Sequence, residues 1–141
     1  MATSPWNQMH LQPRLPARAT SRRQIPTEPG VYAWYRNGSS VYVGVAAGAG
    51  GLRDRVGKAH LATGNDLSRS SLRRSVCELL GIAPTKVTRL RPTVMTPAQV
   101  EPVNRWIGEC EVAWQTCATP REAEDLEEGL LRESRPLLNK R

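Results

Sequence analysis

Between residues 30 and 45 apolar and polar positions alternate with period two, and further along apolar residues recur at three- and four-residue intervals. The chain therefore reads as a β-hairpin followed by helices. The hairpin is Gly30-Val31-Tyr32-Ala33-Trp34-Tyr35-Arg36, Asn37-Gly38, then Ser39-Ser40-Val41-Tyr42-Val43-Gly44-Val45, with an Asn-Gly pair suited to a tight reversal. A three-residue loop, Arg36-Asn37-Gly38 with Gly38 left-handed, pairs Tyr35 with Ser39 and Tyr32 directly with Tyr42. One face then carries Val31, Ala33, Tyr35, Val41, Val43 and Val45, and the other Tyr32, Trp34, Tyr42 and Gly44. A slip of one residue would put the two tyrosines on opposite faces.

After a glycine-rich turn over residues 46–51, Leu52, Val56 and Ala59 predict the buried stripe of a helix over 52–61. Arg55 and Lys58 border one edge of that stripe, Arg53 and His60 the other. No Gly-Lys-Ser/Thr follows the glycines, which speaks against a nucleotide-binding P-loop. A second helix is predicted over 70–80, with Leu72, Val76, Leu79 and Leu80 inward, Arg73 and Arg74 outward and Gly81 as its stop. Thr96-Pro97-x-Gln99 is a capped start of a third, which Pro102 restarts or kinks. Residues 111–117 form a strand with Val112 and Trp114 on one face. Thr119-Pro120-Arg121-Glu122 opens a last helix that runs to about Arg135, before Pro136. Its apolar face is Ala123, Leu126, Leu130 and Leu131. Glu127 projects within the same arc, whereas Glu124, Asp125 and Glu128 point elsewhere. A carboxylate on the inward side of a helix is unfavourable unless paired or metal-bound, which singles out Glu127.

Composition adds a field to this pattern. The 141 residues carry a formal charge of +7, and the charge is uneven: residues 1–100 hold 14 basic and 4 acidic side chains, and 101–141 hold 6 and 9. Most of the positive charge is Arg, which contacts phosphate bidentately, so polyanionic partners are favoured. Residues 1–27, with Pro5, Pro13, Pro16, Pro26, Arg14, Arg18, Arg22 and Arg23 and no acid, read as a flexible basic arm ahead of one domain over 28–141. Without an apolar run of membrane-spanning length or a signal-peptide core, the expectation is an intracellular, cytoplasmic protein with no membrane partner. Cys77, Cys110 and Cys117 have no paired spacing and read as reduced and structural, not as a zinc site.

Taken in order, Gly30-Val31-Tyr32, then Tyr42-Val43-Gly44, Arg55 in a short helix, Leu126-Glu127, and Asn139 twelve residues after Glu127 resemble the GIY-YIG nuclease family. The resemblance covers about residues 29–141. It implies a mixed α/β (α+β) domain with a small antiparallel three-stranded sheet flanked by helices. It further implies an endonuclease that hydrolyses DNA phosphodiester bonds with one divalent metal, Mg²⁺ or Mn²⁺. Carried over, Tyr32 and Tyr42 are the motif tyrosines, one the base and the other a hydrogen-bonding partner. Arg55 stabilises the transition state with Arg53 as the alternative, Glu127 holds the metal, and Asn139 is the C-terminal Asn. The chain departs from the family at Val45, where Lys is frequent, and at His60, which follows Arg55 by five residues where many members have four.

Arg53, Lys58, Arg69, Arg73 and Arg74 are expected to contact nucleic acid, and the molecule to be a monomer or weak dimer. Competing readings are a non-catalytic nucleic-acid-binding module of the same fold, and a nuclease specialised for RNA or for a structure such as branched DNA.

Overall fold

A computed structural model describes residues 4–139. Its centre is β2 (Gly30–Arg36), hydrogen-bonded antiparallel to β3 (Ser39–Ala46) on one side and to β4 (Glu111–Thr116) on the other. A two-residue strand, β1 (Leu15–Pro16), pairs with β4, giving a four-stranded sheet of order β1-β4-β2-β3 where three strands were expected.

Every residue of β2 from Gly30 to Tyr35 is buried, because both faces of the sheet are covered. On one face Tyr32, Trp34, Val41, Tyr42 and Val112 pack with Leu52, Val56, Leu72, Val76, Val100, Val103 and Ile107. Those partners come from a π-helix (Arg53–His60) and the residue before it, α2 (Ser71–Leu79) and α4 (Pro97–Gly108); a short α3 (Thr85–Thr88) packs on α2. On the other face Val31, Ala33, Tyr35, Val43 and Ala113 meet Leu130 of α5 (Pro120–Glu133) and Trp6 and Met9 of α1 (Pro5–His10). The end signals hold: Thr96 and Gln99 form a capping box on α4, Thr119 caps α5, Pro102 is carried within a continuous helix, and Gly81 takes a positive φ just after α2.

The hairpin keeps its faces but not its register. Asn37 and Gly38, with φ of 52° and 81°, form a two-residue reversal that pairs Arg36 with Ser39. Val41 is then the extra residue of a bulge between the pairs Tyr35–Ser40 and Trp34–Tyr42. Tyr32 consequently faces Gly44, not Tyr42. An offset of two preserves side-chain parity, so the tyrosines remain on one face. The bulge turns Val41 from the face predicted for it to the tyrosine face.

Residues 5–27 correct the expectation of a flexible arm. They fold onto the domain through α1, β1 and two 3₁₀ turns, and bury Trp6, Met9, Ala17 and Ile25. At the C-terminal end of α5 the Trp6 indole N–H donates to the Leu130 carbonyl (2.9 Å), which also accepts the Ser134 N–H, and to the Ser134 carbonyl (3.0 Å). A six-residue helix has little stability of its own, so packing on α5 and the sheet holds it. Leu79 and Leu80, expected inward, are exposed at 46% and 39%, while Arg73, expected outward, is buried at 1%.

Both margins of the sheet are covered. Beyond β4 lies β1; beyond β3 the segment after α5 runs alongside, with Leu138 N–H on the Val41 carbonyl (2.9 Å) and the Asn139 amide bonded to both backbone groups of Val43. Trp6→Ala is expected to lower the unfolding free energy by about 3–5 kcal/mol, as for a buried Trp truncated in a core. A shift of the urea midpoint equivalent to less than about 0.5 kcal/mol would show that residues 5–27 do not hold the fold together.

Candidate functional site

Gly44 lies opposite Tyr32 in the ladder, and a methyl group added there would overlap the Tyr32 hydroxyl. With only hydrogen at that position, the phenol lies across the strand beside Tyr42, the two ring centroids 6.4 Å apart. His60 closes the group from the π-helix, its Nε2 2.6 Å from the Tyr32 hydroxyl and its ring 5.1 Å from that of Tyr32.

In the π-helix each turn is closed by an i+5 hydrogen bond; Leu61 N–H reaches the Val56 carbonyl at 2.9 Å. At about 4.4 residues per turn a residue five along returns near the starting azimuth, where an α-helix would have carried it well past. His60 thus sits beside Tyr32 although it follows Arg55 by five, and the odd spacing is absorbed by the helix type.

His60 Nδ1 is 2.6 Å from the hydroxyl of Ser70, and that same hydroxyl caps α2 by accepting the Arg73 N–H at 3.0 Å. Next to it Ser71 shares a short hydrogen bond with the Tyr42 hydroxyl. The cap of α2 therefore touches both branches of the tyrosine pair. Neither serine was among the expected site residues; Ser70 stood in the sequence only as the start of a helix.

A cleft opens beside Tyr42 and Ser71, while Tyr32, His60 and Ser70 are buried. One part is lined by Tyr42, Ser71, Arg74, Ser75, Glu127 and Asn139, and the adjoining part by Asp54, Arg55, Lys58, Arg69, Arg74 and Arg91, with Ser71 and Arg74 common to both. A more voluminous hollow, about 490 Å³ against about 380 and 430 Å³, lies by α4 and reaches the other side of His60; the carboxylate lining it, Glu101, is paired with Arg105. Within the cleft, the charges of Arg55 and Glu127 act on both phenols. Glu127 is half-buried and forms no hydrogen bond or ion pair among the described residues. Burial first, and Glu124 second, raise its carboxyl above the usual range.

The phenols respond mainly to burial. It pushes Tyr32 far above its ordinary value, with Tyr42 adding to the shift and Arg55 opposing it. It raises Tyr42 as well, against the Ser71 hydrogen bond and the charge of Arg55. Burial, followed by Arg55, Arg74 and Arg73, holds His60 well below the usual histidine range, so the ring is neutral near pH 7.

The remaining expected residues divide. Arg55, Lys58, Arg69 and Arg74 line the cleft, Arg74 anchored on the Leu67 and Ser68 carbonyls. Arg53 turns away and donates to the Ile25 carbonyl at 2.8 Å, so it serves the segment before β2 and not the cleft. Arg73 is corrected too: it is buried and donates to the carbonyls of Gly64 (2.7 Å) and Asp66 (3.4 Å) and to Asn104 Oδ1 (2.8 Å). It shapes the loop leading to Ser70 and cannot reach a phosphate. Asn139 borders the cleft, but its carboxamide accepts from Val43 N–H (2.9 Å) and donates to Val43 O (2.8 Å), which makes it a latch on β3. Arg91, which no periodic pattern marked, joins the basic wall and donates to Ser68 Oγ at 2.9 Å.

His60 has a thermodynamic signature. Between its lowered value in the folded chain and the ordinary 6.5 of the unfolded chain, only the unfolded state takes up a proton, so acid favours unfolding. Stability is therefore expected to fall as the pH drops below about 6.5, by up to about 1.4 kcal/mol per unit, and His60→Gln is expected to flatten that slope. Chemical unfolding of both proteins from pH 7.5 to 5 checks this, since the carboxylates contribute equally to each; identical slopes would contradict it.

The family model described as the GIY-YIG catalytic domain matches residues 23–141. No curated protein and no solved structure matches the chain. Among the described residues no helix is long and apolar enough to cross a membrane. Because the match takes in the hairpin with both tyrosines, the π-helix and the helix carrying Glu127, the chain belongs to the GIY-YIG catalytic domain family, nuclease-type domains that cleave phosphodiester bonds.

Proposed function

We propose that this chain is a divalent-metal-dependent endonuclease acting on DNA, with Tyr32, Tyr42, Arg55, His60 and Glu127 as its chemical centre. The observation that carries the reading is the convergence at one cleft of Tyr42 with Tyr32 buried beside it, the Arg55 guanidinium and the half-buried Glu127 carboxylate, which no cation among the described residues neutralises.

Hydrolysis of a phosphodiester requires an oriented water that loses a proton, positive charge facing the phosphoryl oxygens, and support for the departing oxygen. Arg55 supplies a permanent charge beside both phenols and suits the developing negative charge. Tyr42 and Ser71 present hydroxyls at the cleft and can orient the water or a phosphate oxygen. Tyr32 lies deeper; as a protonated phenol it accepts no proton until its own has left, and the nearby Arg55 favours that loss.

The donor set suits a hard cation. Mg²⁺ keeps several waters and is commonly held by one or two carboxylates with substrate phosphate, and Glu127 offers at the cleft a carboxylate unpaired among the described residues. No cluster of three or more His, Cys, Asp or Glu occurs among the described residues, which fits such a water-rich site and not a caged transition metal. When bound, the cation supplies Lewis acidity at the phosphoryl oxygens. Glu127 would hold it.

Lys58, Arg69, Arg74 and Arg91 form the basic wall along which a nucleic-acid backbone is positioned. Lys58→Ala with Arg69→Ala is expected to weaken DNA binding alike for different sequences, and to reduce the slope of log affinity against log salt by about 1–2. An unchanged slope, read by fluorescence anisotropy, would remove these residues from the interface.

Incubation of supercoiled, linear, branched and single-stranded DNA, and of RNA, with and without Mg²⁺ tests the activity. Nicking or cutting of DNA is expected, with a rate that falls about 10²–10³-fold in Glu127→Ala or Arg55→Ala while binding survives. Undiminished cleavage by Glu127→Ala would remove the mechanism. Binding without cleavage in any divalent cation would favour the non-catalytic module, and preference for RNA or branched DNA would redefine the substrate.

A further inference from the structure

Arg74 is the one cation among the described residues that lines the part of the cleft holding Tyr42, Ser71 and Glu127; Arg55, Lys58, Arg69 and Arg91 line only the adjoining part. It follows Ser71 by three residues on α2, so the two side chains leave the helix on one side, and both border the two parts of the cleft. We propose that Arg74 is a catalytic residue, its guanidinium on the non-bridging oxygens of the phosphate that is cleaved, while Lys58, Arg69 and Arg91 hold flanking phosphates. The inference rests on the nuclease reading and adds a second guanidinium to that of Arg55.

The side chain is built into the fold. Lys58, Arg69 and Arg91 are exposed, whereas Arg74 is partly buried and its Nη1 donates to the carbonyls of Leu67 (3.3 Å) and Ser68. Two acceptors on one nitrogen fix the plane of the guanidinium. Nε is buried without a partner; Nη2 bonds nothing among the described residues and is not closed off in the same way. One end of the fork is thus spent on the loop before α2, and the Nη2 end is left to an acceptor from outside the chain.

The charge is equally unspent. Arg74 forms no ion pair among the described residues, and Glu127, in the same part of the cleft, owes its shift to burial and Glu124. Burial lowers the Arg74 guanidinium, Tyr42 opposes that, and the like charges of Arg55, Arg89 and Arg91 lower it further. It also stands in the first turn of α2, the end of a helix that disfavours cations. Such crowding is unfavourable in the free protein and becomes favourable when a phosphate, and then its more negative transition state, lies among these groups. Arg74 exchanges no proton. The attacking water bonds to phosphorus, the bond to the leaving oxygen breaks, that oxygen takes up one proton and the new phosphate monoester sheds the other.

Arg74→Gln and Arg74→Lys separate charge from support. Gln can still donate to the loop carbonyls but carries no charge; Lys keeps the charge without the fork. With supercoiled DNA at saturation in Mg²⁺, nicking by Arg74→Gln is expected to slow about 10²–10³-fold with little change in KM, and Arg74→Lys to fall between it and the wild type. Urea unfolding of both variants checks that folded proteins are being compared. A wild-type rate in Arg74→Gln, or a loss confined to KM and to the salt dependence of binding, would return Arg74 to the flanking contacts. Equal losses in both variants would make it a support for the loop and overturn the catalytic role. If the glutamine variant does not fold, the lysine variant decides: a slower saturated rate supports the role and a wild-type rate overturns it. A wild-type protein that cleaves no nucleic acid in any divalent cation would remove the nuclease reading itself, and this role with it.

Discussion

The close approach of the Tyr32 phenol to Gly44 governs the geometry of this molecule. Tyr32 stands in the central strand, where the sheet is buried on both faces, and its ring can lie flat only because the residue opposite has no side chain. From that placement the rest follows: Tyr42 on the same face two residues from Gly44, His60 against the hydroxyl from the π-helix, and the capped end of α2 behind both. Burial on this scale is unfavourable for ionised groups, and the phenols, the imidazole and the Glu127 carboxyl all shift in the direction that suppresses charge. The permanent charges stay at the rim. The site is thus a neutral, aromatic floor beneath a charged opening.

Much of this arrangement was legible in the residues. Asn37-Gly38 between alternating runs encodes a hairpin, and parity alone places Tyr32 and Tyr42 on one face. Parity does not encode register, however: the tighter turn moved the pairing by one residue and the bulge at Val41 by one more, leaving every other face assignment in place. Glu127 was visible because a carboxylate within an apolar arc conflicts with its neighbours. The folded segment over residues 5–27 was not visible, since Trp6, Met9, Ala17 and Ile25 follow no period and find their partners through distant α5, β2 and the π-helix.

The arginines show the same limit from another side. Arg73 and Arg74 are adjacent and were assigned alike, yet one is buried and the other borders the cleft. What separates them is the set of acceptors offered by Gly64, Asp66 and Asn104, all distant from α2 in the sequence. Likewise His60 seemed one residue out of place only on the assumption of 3.6 residues per turn, and a wider helix removes the discrepancy. Propensities announce a helix; they do not announce its pitch.

The covered margins of the sheet bear on how the protein behaves among its own copies. A strand with free amides and carbonyls is a template on which another chain can extend the ladder. Here β4 is shielded by a proline-containing pair from one side of the sequence and β3 by an asparagine side chain that imitates a strand from the other. Growth of the sheet is therefore self-limiting, and copies of this domain that meet on a nucleic acid would have to associate through helical surfaces or through the polymer itself.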